Sequence, residues 1–321
     1  MRAVFATAIS ADDPLSGLEV GELDDVAGPP GWVKVTLKTS ALNHHDLFSL
    51  RGMGLSADKL PMVLGCDGAG IDEDGQEVMV HAVIPTDGWR GDETLDPKRS
   101  LLSEVHPGTF ADYVWVPAGN VLPKPAELSW EEAGCLSTAW LTAFKMLFSV
   151  SPVGPGSTIL VQGSGGGVAT ALITMAAKAG FRVWVTGRTE GKRAAALGLG
   201  AAEAFEPGAR LPERVDVVFD SVGQATWNHS LKSLKPGGAI VTCGATSGFN
   251  PPAELSRVFF TQLQILGSTM GNRSQFHRLA QFLVSSGARP LIDSVRPLEQ
   301  AREGFARMLT GDVQGKIVFT H

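Results

Sequence analysis

Cysteine is scarce in this chain, tyrosine is nearly absent, and neither positive charge nor long apolar runs dominate. Each shortage excludes something. Three cysteines, Cys66, Cys135 and Cys243, are too few and too scattered for a disulfide framework or a cysteine-rich zinc site. They fit a reducing compartment, so a cytoplasmic location is expected. The first residues, MRAVFATAIS, contain no long apolar core, and no uninterrupted apolar run reaches the ~18 residues of a membrane span. Neither secretion nor a membrane partner is expected. With a net charge of −6 there is no global basic field, so nucleic acid is not an expected partner. The only tyrosine is Tyr113, and Tyr-Val-Trp-Val-Pro117 lacks the Tyr-x-x-x-Lys spacing of the short-chain reductases. Gly187-Arg-Thr-Glu-Gly-Lys192 is one residue too short for a phosphate-binding P-loop, with Arg193 where a hydroxyl is needed. No Gly-x-Ser-x-Gly elbow occurs, which removes the α/β-hydrolases.

What is present centres on residues 157–192. Thr158 to Val161 reads as a short buried parallel strand. A turn with Gly163, Gly165, Gly166 and Gly167 follows, then a helix from Val168 to Ala179 ended by Gly180, then a strand from Val183 to Val185. Glycines let the turn reverse tightly and bring backbone N–H groups against a pyrophosphate, which the helix N-terminus also attracts. The spacing supports two alignments, Gly163-x-Gly165-x-x-Val168 and Gly163-x-x-Gly166-x-x-Ala169. Either predicts a dinucleotide site in strand–turn–helix context. The second strand end identifies the dinucleotide. It carries Thr186, Gly187, Arg188 and Thr189, then Lys192 and Arg193, where an NAD site usually has an acid. Cations and hydroxyls suit a 2′-phosphate, so NADP(H) is the expected cofactor.

The pattern then repeats. Val215 to Phe219 is a strand ending in Asp220-Ser-Val222-Gly223, Ala239 to Thr242 one ending in Cys243-Gly244, and Gln264 to Leu266 one ending in Gly267-Ser268. Val222, Gly223, Gly244 and Ser268 are therefore expected to line the nucleotide. Together these segments predict an α/β fold with a doubly wound parallel sheet over residues 126–270. Ser129-Trp-Glu-Glu132 is a capping box opening an apolar, buried helix. Residues 1–125 read as a β-rich domain, with strands at Arg2 to Phe5, Trp32 to Leu37, Glu77 to Ile84 and Phe110 to Val116. Thr86 to Gly108 has no period and reads as a loop. Two helical patterns, Gln275 to Ser286 and Leu298 to Thr310, and a strand from Lys316 to Phe319 close the chain. This tail, 271–321, is expected to return to the β-rich domain.

Several ordered motifs resemble one superfamily. They are Ala41-Leu-Asn-His-His-Asp46 with Arg51-Gly52, Pro61-Met-Val-Leu-Gly-Cys-Asp-Gly-Ala-Gly70, Gly108-Thr-Phe-Ala-Asp-Tyr-Val114, Cys135-Leu-Ser-Thr-Ala-Trp-Leu-Thr-Ala143 and Gly315-Lys-Ile-Val318. The chain resembles the medium-chain dehydrogenase/reductases, and within them the zinc-independent quinone and enoyl reductase-like branch. The resemblance implies a GroES-like domain, a Rossmann domain, an active site between the two, and a homodimer formed through the last Rossmann strand. It also implies direct hydride transfer from NADPH to a quinone or an α,β-unsaturated carbonyl, with a zinc-dependent alcohol dehydrogenase of rearranged metal site and a non-catalytic NADPH-binding or sensor protein as the alternatives. The zinc alcohol dehydrogenases of the superfamily carry Cys at the position of Asn43, His at that of Cys66 and Cys near Gly134, so no catalytic metal is expected here. His44, His45, Cys66 and Asp67 leave open a makeshift metal site. A four-cysteine lobe would match Thr86 to Gly108, which has no cysteine. By the same resemblance Asn43 is a candidate donor to the substrate oxygen, and Thr138 a contact of the nicotinamide. Asp46 is read either as ordering Arg51 or a backbone N–H, or as a proton carrier. His45, or its neighbour His44, is a candidate proton donor. Lys316 is assigned to the cofactor site. Phe48, Trp89 and Trp140 either shape an apolar pocket or pack in the core. Substrate identity is not legible.

Overall fold

A computed structural model describes residues 1–25 and 27–321. The chain folds as two compact units, the first made of residues 1–141, 271–285 and 292–321, the second of 142–270 and 286–291.

The first unit is built on a seven-stranded sheet. Its centre is the long strand Trp32–Ala41, in which Val35, Leu37 and Ala41 are buried. One edge of that strand pairs with Asp67–Asp72. The other edge is shared, its first half pairing with Tyr113–Pro117 and its second with Lys316–Thr320. The end of the chain thus completes a sheet begun near its start, and Ile292–Pro297 adds parallel to it. A smaller sheet orders Leu18–Glu22, Arg2–Ala6 and Met62–Val63. The core beneath includes Leu42, Leu47, Leu50, Phe110, Phe305 and Phe319, with Phe110 and Phe319 edge to face at 5.3 Å.

The second unit carries a six-stranded parallel sheet. Across it the strands run Glu203–Phe205, Arg182–Thr186, Thr158–Gln162, Val215–Asp220, Leu234–Thr242 and Gln264–Gly267. Counted along the chain this order is 3-2-1-4-5-6, the doubly wound arrangement that binds dinucleotides at its carboxyl edge. Leu160, Trp184, Val218 and Ile240 fill its core.

Two local expectations fail. The domain boundary falls at 141/142 rather than 125/126. Residues 130–140 are tied to the first unit by Thr39 Oγ1 donating to Trp130 O and by the Asp67 carboxylate described below. The buried helix is also not uniform, since Leu136–Trp140 and Met146–Val150 wind as π-turns on either side of Leu141–Lys145. Such wide turns recur at functional sites.

Candidate active site

Strand register in the first unit brings three distant residues together. Ala41 lies opposite Asp67 on one side and Val318 on the other. Asn43, two residues past Ala41, therefore meets Asp67 and Lys316. The Lys316 ammonium donates to Leu42 O at 2.9 Å, to Asp67 Oδ2 at 3.0 Å and to Asn43 Oδ1. Asn43 Nδ2 donates to Asp67 Oδ2 at 2.9 Å and to Ala41 O at 3.2 Å. The other Asp67 oxygen accepts from Thr138 N at 2.6 Å and Ser137 Oγ at 3.0 Å. Asp67 is 0% and Lys316 2% exposed, so the ion pair is desolvated, and every charge in it is hydrogen-bonded.

Two expected roles change as a result, those of Lys316 and Asn43, and the two readings of Asp46 narrow to one. Lys316 points into the core of its own unit and not toward a cofactor. Both amide hydrogens of Asn43 are engaged, which leaves none for a substrate oxygen. Asp46 is fully buried and accepts from the backbone amides of Asn43 at 2.8 Å and Gly65 at 3.0 Å. It orders the backbone, as one of its two expected readings held, and it does not bond Arg51 in this arrangement. Burial pushes its carboxyl up to about 6. Thr138, by contrast, is held through its backbone while its buried hydroxyl has no partner. It is the group here with hydrogen-bonding capacity to spare.

His44 and His45 do not lie on extended chain. They open the helix His44–Leu50, which Asp46 caps by reaching back to Asn43 N. The signal for it was present in Asn43-x-x-Asp46 ahead of Leu47 and Leu50. His44 is exposed, with its ring 6.5 Å from that of Phe48. His45 is half-buried between two partners. Its Nε2 lies 2.8 Å from Glu104 Oε1 and its Nδ1 3.4 Å from Cys66 Sγ. Glu104, from the unpatterned stretch Thr86 to Gly108, was missed in the sequence, because no period or motif marked it. Trp140 is fully buried and belongs to the core, whereas Trp89 is 36% exposed.

A catalytic zinc does not fit these side chains. The first ligand position of the zinc enzymes is an amide beside a buried ammonium, which repels a second cation. Among the described residues no group of three or more His, Cys, Asp and Glu side chains is placed to hold a metal ion. His45, Cys66 and Glu104 form a chain through the imidazole ring rather than a converging set.

In the second unit the predicted cofactor residues gather at the carboxyl ends of parallel strands. Gly163 follows Thr158–Gln162 at φ +82°, and Gly166 opens the helix Gly167–Lys178. Gly166 is exposed, and a Cβ there would meet nothing within 4 Å. Nothing acidic stands in the first turn of that helix, and the buried Ser164 hydroxyl has no partner. An open helix N-terminus beside an orphaned hydroxyl fits a pyrophosphate. Gly165 is buried, while Gly167 and Val168 are half-buried in the same first turn. Val222 N and Gly223 N donate to Asp220 Oδ1, and Gly223 sits at φ +87° against Ala245 and Gly248. Gly244 follows the next strand, where a Cβ would touch Ser221 O at 3.7 Å, and Ser268 ends the last with an unpartnered buried hydroxyl. Thr186 departs from expectation. It is 1% exposed, its hydroxyl donates to Gln162 Oε1 at 2.8 Å and accepts from Gly163 N at 3.1 Å. It therefore locks the glycine turn to the neighbouring strand and does not face a 2′-phosphate. Arg188 is exposed, and Lys192 is half-buried in a helix whose cap, Thr189, accepts from Lys192 N. Arg193 braces the turn by donating to Gly187 O at 2.8 Å.

Comparison with known proteins agrees with this architecture. Residues 29–126 match the family description "alcohol dehydrogenase GroES-like domain" and residues 167–285 match "zinc-binding dehydrogenase". A solved NAD-dependent alcohol dehydrogenase is 34% identical, covers 100% of both chains and superposes with a TM-score of 0.92. A zinc-type alcohol dehydrogenase-like protein of Schizosaccharomyces pombe is 29% identical over 95% of this chain and 96% of its own. The crotonyl-CoA carboxylase/reductase of Cereibacter sphaeroides is 26% identical over 96% and 85%. The chain belongs to the medium-chain dehydrogenase/reductase superfamily. It is an oxidoreductase of that superfamily, with a GroES-like unit and a Rossmann unit that takes a nicotinamide cofactor. Among the described residues no helix is long and apolar enough to cross a membrane.

Proposed function

We propose that the protein reduces an α,β-unsaturated carbonyl or a quinone with NADPH and without zinc. The observation that carries this reading is the Asn43–Asp67–Lys316 cluster. It places a neutral amide and a buried cation where a zinc enzyme needs anionic or imidazole ligands. An alcohol oxidation that relies on a metal to acidify the hydroxyl lacks its ligand set, whereas hydride addition to an activated double bond needs only placed reactants and a proton. The likeness to a crotonyl-CoA carboxylase/reductase supports an enoyl-type substrate.

When bound, the reduced nicotinamide supplies the hydride. The protein's own residues place it. The Gly163–Gly167 turn and the Ser164 hydroxyl receive the pyrophosphate, and Val222, Gly223, Gly244 and Ser268 line the strand ends. The Thr138 hydroxyl is offered to the nicotinamide or substrate by a π-turn pinned to Asp67. Arg188 and Lys192 favour the 2′-phosphate, since the strand Arg182–Thr186 ends with no acid to hold a free ribose hydroxyl. The test is NADPH oxidation over a panel of enones and quinones, with chelator and with added zinc. Turnover indifferent to both supports the reading, and turnover only with zinc sinks it.

The 34% likeness to an NAD-dependent alcohol dehydrogenase favours a second reading, alcohol oxidation with NAD+. The same panel run with NAD+ and simple alcohols separates the two.

We also propose a homodimer. Gln264–Gly267 is the free edge of its sheet, and Ile265 together with Leu255, Phe259 and Phe260 of the preceding helix exposes 45%, 69%, 62% and 78% of its surface, respectively. A bare strand edge flanked by exposed aromatic rings is costly to leave in water and is satisfied by a second copy.

A further inference from the structure

Three neighbouring strands of the parallel sheet each end on a buried polar side chain. Gln162 ends the middle one at 1% exposure, Thr186 its neighbour on one side at 1% and Asp220 its neighbour on the other at 0%. Buried polar groups are costly unless each finds a partner. Gln162 stands between the other two and bonds toward both.

The direction of every bond in this group is set by atoms that can only donate or only accept. Gly163 N donates to Thr186 Oγ1 at 3.1 Å. The Thr186 hydroxyl then passes its own proton to Gln162 Oε1 at 2.8 Å. The amide oxygen therefore faces Thr186, and the NH2 group faces the helix Trp227–Ser233. There Gln162 Nε2 donates to Ser230 Oγ at 3.0 Å and to His229 Nδ1 at 2.8 Å. Ser230 Oγ donates onward to Asp220 Oδ2 at 2.7 Å. The other Asp220 oxygen accepts from Val222 N at 2.8 Å and Gly223 N at 3.0 Å.

The ring of His229 fits the same direction. Ala209 O, 2.9 Å from Nε2, can only accept, so Nε2 carries the hydrogen and Nδ1 keeps a lone pair for Gln162. Ser233 Oγ, 3.4 Å from Nε2, gives its own proton to His229 O and brings no donor to the ring. The reversed amide leaves the Thr186 proton and one amide hydrogen without acceptors, in a place where both residues are 1% exposed. One directed run of hydrogen bonds thus leads from the backbone of the glycine turn, through Gln162, Ser230 and Asp220, to the backbone of Val222 and Gly223.

We propose that Gln162 is a positioning residue for the dinucleotide, holding the glycine turn and the Val222–Gly223 turn in one fixed relative geometry. The inference rests on the cofactor site proposed above, of which both turns are part. A ligand held at two places gains from the second only when that place is already where its other half arrives. Gln162 does not touch the ligand, since its oxygen and both amide hydrogens are committed. Glutamate has the same reach but no hydrogens for Ser230 and His229, and methionine has neither donor nor acceptor strength.

Three measurements on the full chain test this. The first is 15N-edited NMR of the His229 ring at neutral pH. Hydrogen on Nε2 alone is expected in the wild type, and hydrogen on both nitrogens in Gln162→Glu, whose carboxylate can only accept. A wild-type ring with hydrogen on Nδ1 overturns the run of bonds. The second reads the backbone amide resonances of Val222 and Gly223. Thr186→Val should move them in the wild type and leave them in place in a Gln162→Met background. No movement in the wild type, or equal movement in both, overturns the link through Gln162. The third is calorimetric titration with NADPH, with NADH, and with ADP-ribose and its 2′-phosphate, which lack the nicotinamide. In Gln162→Met the advantage of the preferred dinucleotide over its own fragment should fall about tenfold, the worth of a hydrogen bond or two that align the turns. Equal weakening of both ligands is what a purely structural residue would give, and it overturns the positioning role. Ser230→Ala cuts the run one bond later and carries the same expectation if Gln162→Met does not fold. A wild type that binds neither dinucleotide, with His229 protonated as assigned, overturns the cofactor site and this role with it, and leaves only the bond directions established.

Discussion

Replacing Lys316 with Met tests whether the buried ion pair organises the first unit. Methionine fills nearly the volume of the lysine stem, so the cavity cost is small and the loss is electrostatic. Three acceptors lose their donor: Leu42 O, Asn43 Oδ1 and Asp67 Oδ2. Asp67 keeps Asn43 Nδ2, Ser137 Oγ and Thr138 N, which softens the exposure of its charge. Breaking a buried pair by deleting one partner costs about 3–5 kcal/mol. The remaining donors on Asp67 argue for the low end of that range, and two buried acceptors orphaned at ~1–3 kcal/mol each argue for the high end. We expect a loss of about 4 kcal/mol in urea unfolding followed by tryptophan fluorescence, with the midpoint shifted and the slope unchanged. The double variant Lys316→Met, Asp67→Asn should recover about half of it, because an amide at 67 still accepts from Thr138 N and no longer buries a charge. A single-variant loss under about 1 kcal/mol would refute the reasoning, since that is the value of a solvated pair.

Four further outcomes are expected. Gly166→Asp should keep the fold, as its Cβ meets nothing within 4 Å, and should weaken NADPH binding at least about tenfold by placing an anion at the helix N-terminus, read by fluorescence titration. Arg188→Ala should lower the preference for NADPH over NADH by roughly 10–100-fold, the loss of one charge-assisted hydrogen bond, measured as a ratio of kcat/KM values. Phe260→Asp, at a position 78% exposed, should leave unfolding unchanged and convert a dimer to monomer in analytical ultracentrifugation. His321 has its imidazole pushed down to about 4 by burial. Its unfolded form protonates below about 6.5 while the folded form stays neutral, so stability is lost as pH falls from there toward 4. His321→Gln should flatten that limb of the stability curve by up to about 3 kcal/mol.

Sequence made the second unit nearly readable because its signals are local. The strand Thr158–Gln162, the glycine turn and the helix Gly167–Lys178 lie within one stretch, and each strand–helix repeat announces its own ends. The first unit kept its site hidden for the opposite reason. Lys316 meets Asp67 across 249 positions and Asn43 across 273, and only the register of three strands makes them neighbours. A motif placed Lys316 correctly in the chain but could not say which way its side chain turned. Glu104 was further out of reach, since it stands in an aperiodic loop and is 59 positions from His45. The helix His44–Leu50 was legible in Asn43-x-x-Asp46, but reading His44 and His45 as extended chain hides it, even though a backbone-ordering role for Asp46 is one of its expected readings.

Hydrogen-bond accounting then separates scaffold from site among the residues that sequence grouped together. Asn43, Asp46, Asp67, Thr186 and Lys316 are polar and buried, and the bonds they make are to their own unit. A fully committed group cannot serve a ligand without breaking what it holds, so these residues set geometry. Thr138, Ser164 and Ser268 differ, since each has a buried hydroxyl without a partner. An orphaned hydroxyl alone decides little, because Thr174 has one in mid-helix and Trp140 and Trp184 bury unpartnered indoles in the core. What distinguishes the three is place. Ser164 and Ser268 follow the carboxyl ends of parallel strands, and Thr138 sits in a π-turn. Leaving a buried hydroxyl unpaired costs about 1–3 kcal/mol, and a ligand that supplies the missing partner recovers it on binding. On the proposed function, the unsatisfied groups at the strand ends and the π-turn are where a cofactor and its substrate gain most.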